Sequence, residues 1–335
     1  MKPRLGFLGL GWIGRHRMEA ILASGAAEVA ALADPAPEAV AAARAVAPAA
    51  RTAAGLVELL GEGLDGLVIA TPSALHAAQS IAALQQGVAV FCQKPLGRTA
   101  AEVGAVVDAA RAAGRLLGVD LSYRRMEGTA RIRDLVRSGA LGRVYAADLV
   151  FHNAYGPDKP WFRDPALSGG GCVMDLGVHL ADLALWMLDF PPVHGIRSHL
   201  FAGGTPLAGD RRVVEDFALA ELELGGGAVV RLTCSWARPL GRDAEIAATF
   251  HGTAGGAGLR NVEGSYHDFV AERWQGTSRE ILAAPPDPWG GRTAVAWAER
   301  LARDPGFDPA ASELVEVARV LDGIYASAPA PRRGA

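Results

Sequence analysis

Leu5-Gly6-Phe7-Leu8-Gly9-Leu10-Gly11-Trp12-Ile13-Gly14 decides how the rest of the chain is read. A short apolar run meets glycines at once and gives way to a helical pattern through Met18, Ile21 and Leu22, so the stretch reads as strand, tight turn and helix start. Each glycine has its own task. Gly9 permits the turn, Gly11 puts no side chain in the way of a close approach to the backbone, and Gly14 lets helix and strand lie close. The backbone N–H groups around Trp12 and Ile13 then sit at the positive end of a helix dipole, where a dinucleotide pyrophosphate binds. A second run, Glu28 to Ala33, reads as the next strand and ends in Asp34, about twenty residues beyond Gly14, where a carboxylate can accept hydrogen bonds from an adenosine ribose. The bland alternative is a structural turn with a solvated Asp34; strand, glycines, helix, strand and acid in that order favour the dinucleotide.

The same rhythm continues. Helices are expected over Pro37 to Ala47, Ser73 to Gln86 and Thr99 to Ala113, and strands over Gly66 to Ala70, Ala89 to Cys92 and Leu116 to Val119. Strands alternating with helices give a parallel, doubly wound sheet. Past about Asp120 the pattern changes. A helix from Thr129 to Arg137 precedes a long strand, Val144 to Phe151, and around Gly225-Gly226-Gly227 two strands meet as a hairpin. On its second strand Val230, Leu232, Cys234 and Trp236 alternate with Arg231, Thr233 and Ser235, one face buried and one polar. Strand-like runs near Glu245 to Phe250 and Tyr266 to Ala271 complete an α+β half with a large, mainly antiparallel sheet. The expected division is a dinucleotide-binding domain over 1–121, a substrate and oligomerisation domain over 122–328, and a disordered tail over 329–335.

Bulk properties narrow the partners. Net charge is −3 over 335 residues, with both signs scattered, so no basic patch points to nucleic acid. Cys92, Cys172 and Cys234 are odd in number and lack CxxC spacing, which argues against a disulfide framework or a zinc site and fits a reducing cytoplasm. No apolar signal region and no run of membrane-spanning length is present.

Two constellations can carry chemistry. Gln93-Lys94-Pro95 follows a strand's carboxyl end, where ligands of open α/β sheets bind, and a lysine there can stabilise a developing alkoxide; a surface loop lysine is the alternative. Ser168-Gly169-Gly170-Gly171-Cys172-Val173-Met174-Asp175-Leu176-Gly177-Val178-His179 leads three glycines into a helix, which should leave exposed N–H groups, and its i, i+4 spacing puts Asp175 and His179 on one face, with Asp182 beside them. A carboxylate orienting an imidazole suits a general base near neutral pH; a capped helix with a satisfied histidine is the plain alternative. A metal held by Asp175, His179 and Asp182 lacks a fourth ligand at suitable spacing, so none is expected.

These residues, with Thr71-Pro72 and His76, resemble the Gfo/Idh/MocA family, named for glucose-fructose oxidoreductase and inositol dehydrogenase. The resemblance spans nearly the whole chain. It implies a Rossmann domain followed by a domain with a large open sheet, NAD(P)-dependent oxidation or reduction of a sugar or cyclitol carbon, and homodimers or homotetramers. It also implies a catalytic set of Lys94, Asp175 and His179, in which His179 is the acid/base, Asp175 orients it or the substrate hydroxyls, and Lys94 touches nicotinamide ribose and substrate. The cofactor would lie against Gly9, Gly11, Trp12, Ile13, Gly14, Asp34, Thr71, Pro72, His76 and Lys94. Tyr123, Arg124, His152, Asn153, Trp161 and Arg163 fall where the family lines its substrate pocket. One residue departs from the pattern: the family usually has Glu before Lys-Pro, and here it is Gln93. NAD is expected over NADP, because Asp34 would repel a 2′-phosphate. Two other outcomes stay open, a redox-neutral NAD-dependent glycosidase and a dinucleotide-binding sensor without turnover.

Overall fold

The computed structural model describes residues 2–208 and 212–329. They form two compact units, the first reaching to Ser122 and including Gly290–Val315, the second comprising Tyr123–Trp289 and the chain from Glu316 on.

In the first unit the elements are β1 (Arg4–Leu8), α1 (Trp12–Ser24), β2 (Glu28–Ala33), α2 (Pro37–Val46), β3 (Arg51–Thr52), α3 (Leu56–Leu60), β4 (Gly66–Ile69), α4 (Ser73–Gln85), β5 (Ala89–Cys92), α5 (Ala100–Ala113) and β6 (Leu117–Val119). The strands make one parallel sheet in the order β3-β2-β1-β4-β5-β6. Strand order reverses at β1, which pairs Leu5 with Val29 on one side and Gly66 on the other. Such a reversal opens a crevice at the carboxyl ends of the strands, and the glycine turn lies there. Leu5, Phe7, Leu10, Met18, Ile21, Leu32 and Phe91 are wholly buried around it.

The chain returns to this sheet late, a correction to the expected division at 121. After the second unit's Trp289 comes helix α9 (Arg292–Arg303), whose apolar face of Ala294, Trp297, Ala298 and Leu301 is buried in the first core. Trp297 lies against Phe91 with ring centroids 5.6 Å apart. Room for it comes from two strand glycines, because a Cβ on Gly66 or Gly118 would come within 2.6 or 2.7 Å of the indole. A linear change of rhythm cannot reveal a segment that comes back.

The second unit holds α6 (Glu127–Arg137), β7 (Val144–Asn153), α7 (Pro165–Ser168), a π-helical turn (Val173–Gly177) running into α8 (Val178–Met187), then β8 (Val193–Ala202), β9 (Thr205–Leu207), β10 (Phe217–Leu224), β11 (Val229–Ser235), β12 (Ala244–Gly252), β13 (Gly256–Asn261), β14 (Phe269–Gln275) and β15 (Ser278–Ala283). After α9, α10 (Glu313–Ser327) closes the chain, and the division between units falls after its first turn. The sheet has nine strands in the order β15-β14-β13-β12-β7-β11-β10-β8-β9, antiparallel except where β11 runs parallel to β7. The hairpin alternation holds, with Val230, Leu232, Cys234 and Trp236 buried. The strand expected at Tyr266 starts instead at Phe269, because the Ser265 hydroxyl accepts from the amides of His267 and Asp268 and makes a turn of that segment.

The exposed face of this sheet carries charges of both signs. Arg197 pairs with Glu221 and Glu223, and Arg231 with Asp148, across neighbouring strands. From residue 330 on, the tail lies outside the described residues.

Candidate active site

At the glycine turn the three positions differ physically. Gly9 has φ +89°, and a Cβ there would meet the Ala70 carbonyl 2.5 Å away; a Cβ on Gly14 would collide with the Gly9 carbonyl. Gly11 faces open space, with nothing within 4 Å of an added Cβ. It is also the N-cap of α1, and no side chain caps that helix. Asp34, half-buried, accepts from the Leu10 amide at 2.6 Å and the Ala36 amide at 2.8 Å, so the acid at the end of β2 also holds the glycine turn. Trp12 is 66% exposed and stacks on His16 with centroids 5.5 Å apart.

Along the same edge, Thr71-Pro72 lies just beyond β4 and Gln93-Lys94-Pro95 just beyond β5. His76 is buried between them, its two ring nitrogens each 2.7 Å from a carbonyl oxygen, those of Pro95 and Thr71. A neutral ring can donate to only one of them. Burial holds the imidazole below its ordinary pKa, opposed by the two carbonyls and aided by the nearby Lys94 cation. Its task is to tie the two loops. Gln93 is buried as well and donates through Nε2 to Asp120 Oδ2 at 2.6 Å; the same oxygen accepts from Arg17 Nε at 2.6 Å.

In the second unit the expectation of exposed glycine-loop amides is overturned. The carboxylate of Glu215, 1% exposed, accepts from Gly171 N at 2.9 Å, Val173 N at 2.9 Å and the Tyr325 hydroxyl at 2.8 Å. Burial pushes this carboxyl up and the hydrogen bonds pull it back. The glycines are required for closeness: a Cβ on Gly170 would strike the Tyr325 hydroxyl, and one on Gly171 the Glu215 carbonyl. The amides therefore serve a carboxylate of this chain and offer no anion site.

Asp175 lies within the π-helical turn and His179 in the first turn of α8, so the α-helical i, i+4 rule does not carry across the pair. Asp175 Oδ2 accepts from Trp236 Nε1 at 3.0 Å. His179 is 8% exposed, with the Tyr123 ring edge-on at 5.0 Å and the Phe151 ring at 6.2 Å. Asp182, expected beside them, is instead buried against Arg124, whose Nη2 and Nε reach its two oxygens at 2.6 and 3.0 Å.

The expected pocket residues divide. Arg124 is committed to Asp182 and lies over the Trp186 and Phe190 rings, and so acts as a clamp. Tyr123 is a core residue whose burial pushes its phenol up. His152 bridges Ser235 Oγ at 2.8 Å and Arg238 Nη1 at 2.9 Å. Because Arg238 can only donate, His152 accepts there and stays neutral; burial, then the Arg238 cation, pushes its pKa down to about 4. Trp161 stacks on Phe162, which meets Trp236 edge-on, while Arg163 is exposed. Asn153 ends β7, its Oδ1 buried without a partner among the described residues.

Comparison with known proteins gives this arrangement a lineage. Residues 4–121 match the oxidoreductase family with an NAD-binding Rossmann fold, and residues 129–257 match the GFO/IDH/MocA C-terminal domain. The chain belongs to the Gfo/Idh/MocA family. Its relatives include the rhizopine catabolism protein MocA of Rhizobium meliloti, 30% identical over 84% of this chain and 90% of that one. The D-glucoside 3-dehydrogenase of Escherichia coli K12 is 28% identical, and the match spans 60% of either chain. The structure of a levoglucosan dehydrogenase in complex with NADH shares the fold, with a TM-score of 0.82 at 22% identity over 98% of this chain and 97% of that one.

The residues present fit the family's dinucleotide. Open space before Gly11, at the head of a helix without a side-chain cap, is the cradle that a Cβ would fill. Among described residues, sequence reasoning missed Glu215, Trp236, Asp120 and Arg17. Only Asp120, just past a strand end, carried a positional signal.

Proposed function

We propose that this protein is an NAD-linked dehydrogenase or reductase acting on a carbinol or keto carbon of a sugar, cyclitol or related polyol. The observation that carries the reading is the open cradle at Gly11, in a chain whose family is an NAD-binding oxidoreductase family. When bound, the nicotinamide supplies the hydride chemistry. His179 takes the substrate hydroxyl proton, Asp175, held by Trp236, orients the ring or a neighbouring hydroxyl, and Lys94 stabilises the developing alkoxide. The names of the relatives support a polyol substrate, and three buried free thiols support a cytoplasmic site of action. The test is a panel of sugars, inositols and sugar acids followed at 340 nm with NAD and NADP. Turnover of none of them would leave the sensor reading in its place.

Two expected outcomes belong to this reading. NAD should be preferred over NADP by roughly tenfold or more in kcat/KM, since a 2′-phosphate would approach the Asp34 carboxylate and Pro35-Ala36 supplies no arginine. Equal efficiency with NADP would overturn it. The protein should also be a homodimer or a tetramer, associated through the outer face of the nine-stranded sheet, where charges of both signs can complement a second copy. Light scattering at micromolar concentration that gives the mass of a single chain would count against this.

A further inference from the structure

The departure at Gln93 has a physical counterpart elsewhere in the first unit. Gln93, at the end of β5, and Asp120, at the end of β6, are 8% and 2% exposed. The Gln93 amide donates to Asp120 Oδ2 at 2.6 Å, and Arg17, 6% exposed on α1, donates to the same oxygen. Arg17 in turn donates through Nη1 to His16 Nδ1 at 2.8 Å, and His16 stacks on Trp12 in the glycine turn. A chain of side-chain contacts thus runs from the head of α1 to the residue before Lys94, buried from Arg17 through Asp120 to Gln93. A glutamate at 93 would place two carboxylates in contact, and one would have to take up a proton. An amide is the side chain that this arrangement accepts.

We propose that Asp120 is the positioning carboxylate of the Lys94 loop, acting through the Gln93 amide that it holds. Asp120 holds Gln93 and is neutralised by Arg17, while His76 holds the Pro95 carbonyl on the far side of Lys94. The lysine is therefore fixed from both neighbours. Asp120 Oδ1 is buried without a partner among the described residues, so one acceptor position remains for a proton donor. The other titratable group that faces this carboxylate is the Cys92 thiol, which burial, with Asp120, keeps protonated. The relevance to catalysis rests on the role proposed for Lys94; the charge arrangement does not.

The test is a charge swap in the full chain: Asp120→Asn, Gln93→Glu and the double variant. The chain has three lysines, Lys2, Lys94 and Lys159, so 13Cε-lysine NMR of the ligand-free protein gives a Lys94 resonance assignable by Lys94→Arg. Each single variant is expected to move that resonance and lower the urea midpoint. For Gln93→Glu the midpoint should fall further between pH 6 and pH 8, because a carboxyl whose folded pKa is raised contributes stability below its unfolded value and loses it as pH rises. The double variant should restore the resonance and the midpoint, and flatten the pH dependence. With any substrate the wild type turns over, kcat should fall roughly 10- to 100-fold in the singles, with KM little changed, and recover in the double. Additive losses in the double variant, or a Lys94 resonance indifferent to all three changes, would overturn the proposal. Absence of turnover in the wild type would overturn the function proposed for the chain and leave the NMR and urea results to decide this one.

Discussion

His179→Ala is expected to lower kcat by roughly two to four orders of magnitude, the range for a lost general base. NAD affinity should hardly change. The ring is buried against Tyr123 and Phe151, so removing it also leaves a cavity, at a cost of about 2–4 kcal/mol by analogy with other large-to-small core changes. His179→Gln separates the two effects, since it fills most of the volume yet cannot exchange a proton near neutral pH. If the histidine only packs, His179→Gln should be nearly as active as wild type. If it takes the substrate proton, both variants should lose kcat to that extent while only the alanine variant is markedly destabilised. Measuring kcat, NAD affinity and the urea midpoint on both variants decides between these, and a folded His179→Gln protein with full activity would remove His179 from the mechanism.

The first unit was legible because its signals are local. β1 runs into Gly9 and β2 into Asp34, the long helices follow their strands in a regular alternation, and the glycines of the Gly9 to Gly14 turn act on atoms within a few residues or one strand away, whereas the two-residue β3 and the one-turn α3 are too short to leave a pattern. What escaped was what the chain does at a distance. Nothing in the run from Ala294 to Leu301 says which sheet it will cover, and it proves to fill the space left by Gly66 and Gly118. In the second unit the presence of the helix bearing Asp175 and His179 could be read, but its geometry could not. A π-helical turn has no periodic signature, and the partners that make it possible, Glu215 and Trp236, lie some 40 to 60 residues further on. For the same reason Asp182 and Arg124 read as site residues. Their types suit a polar pocket, and only the structure reveals that they satisfy each other.

The glycine run before that helix carries the second large expected effect. Glu215→Ala would strand the amides of Gly171 and Val173 and the Tyr325 hydroxyl, all three now bonded to one buried carboxylate. A buried donor left unpaired costs about 1–3 kcal/mol, so the loss for three should be about 3–9 kcal/mol, a large part of the stability of an ordinary domain. Glu215→Gln is the informative companion. Glu215 Oε1 alone accepts from all three donors, while Oε2 is a second acceptor only for Gly171 at 3.0 Å, so an amide can keep most of the geometry while removing the charge. It should cost about 1–2 kcal/mol, near the difference between a charge-assisted and a neutral hydrogen bond. Because these bonds set the turn that carries Asp175, kcat in Glu215→Gln should fall while NAD affinity, which depends on the first unit's cradle, stays unchanged. Tyr325→Phe, which removes one donor and leaves the carboxylate charged, should have the smallest effect. A Glu215→Ala protein as stable as wild type would show that water satisfies these amides, and Glu215 would then have no part in holding the helix.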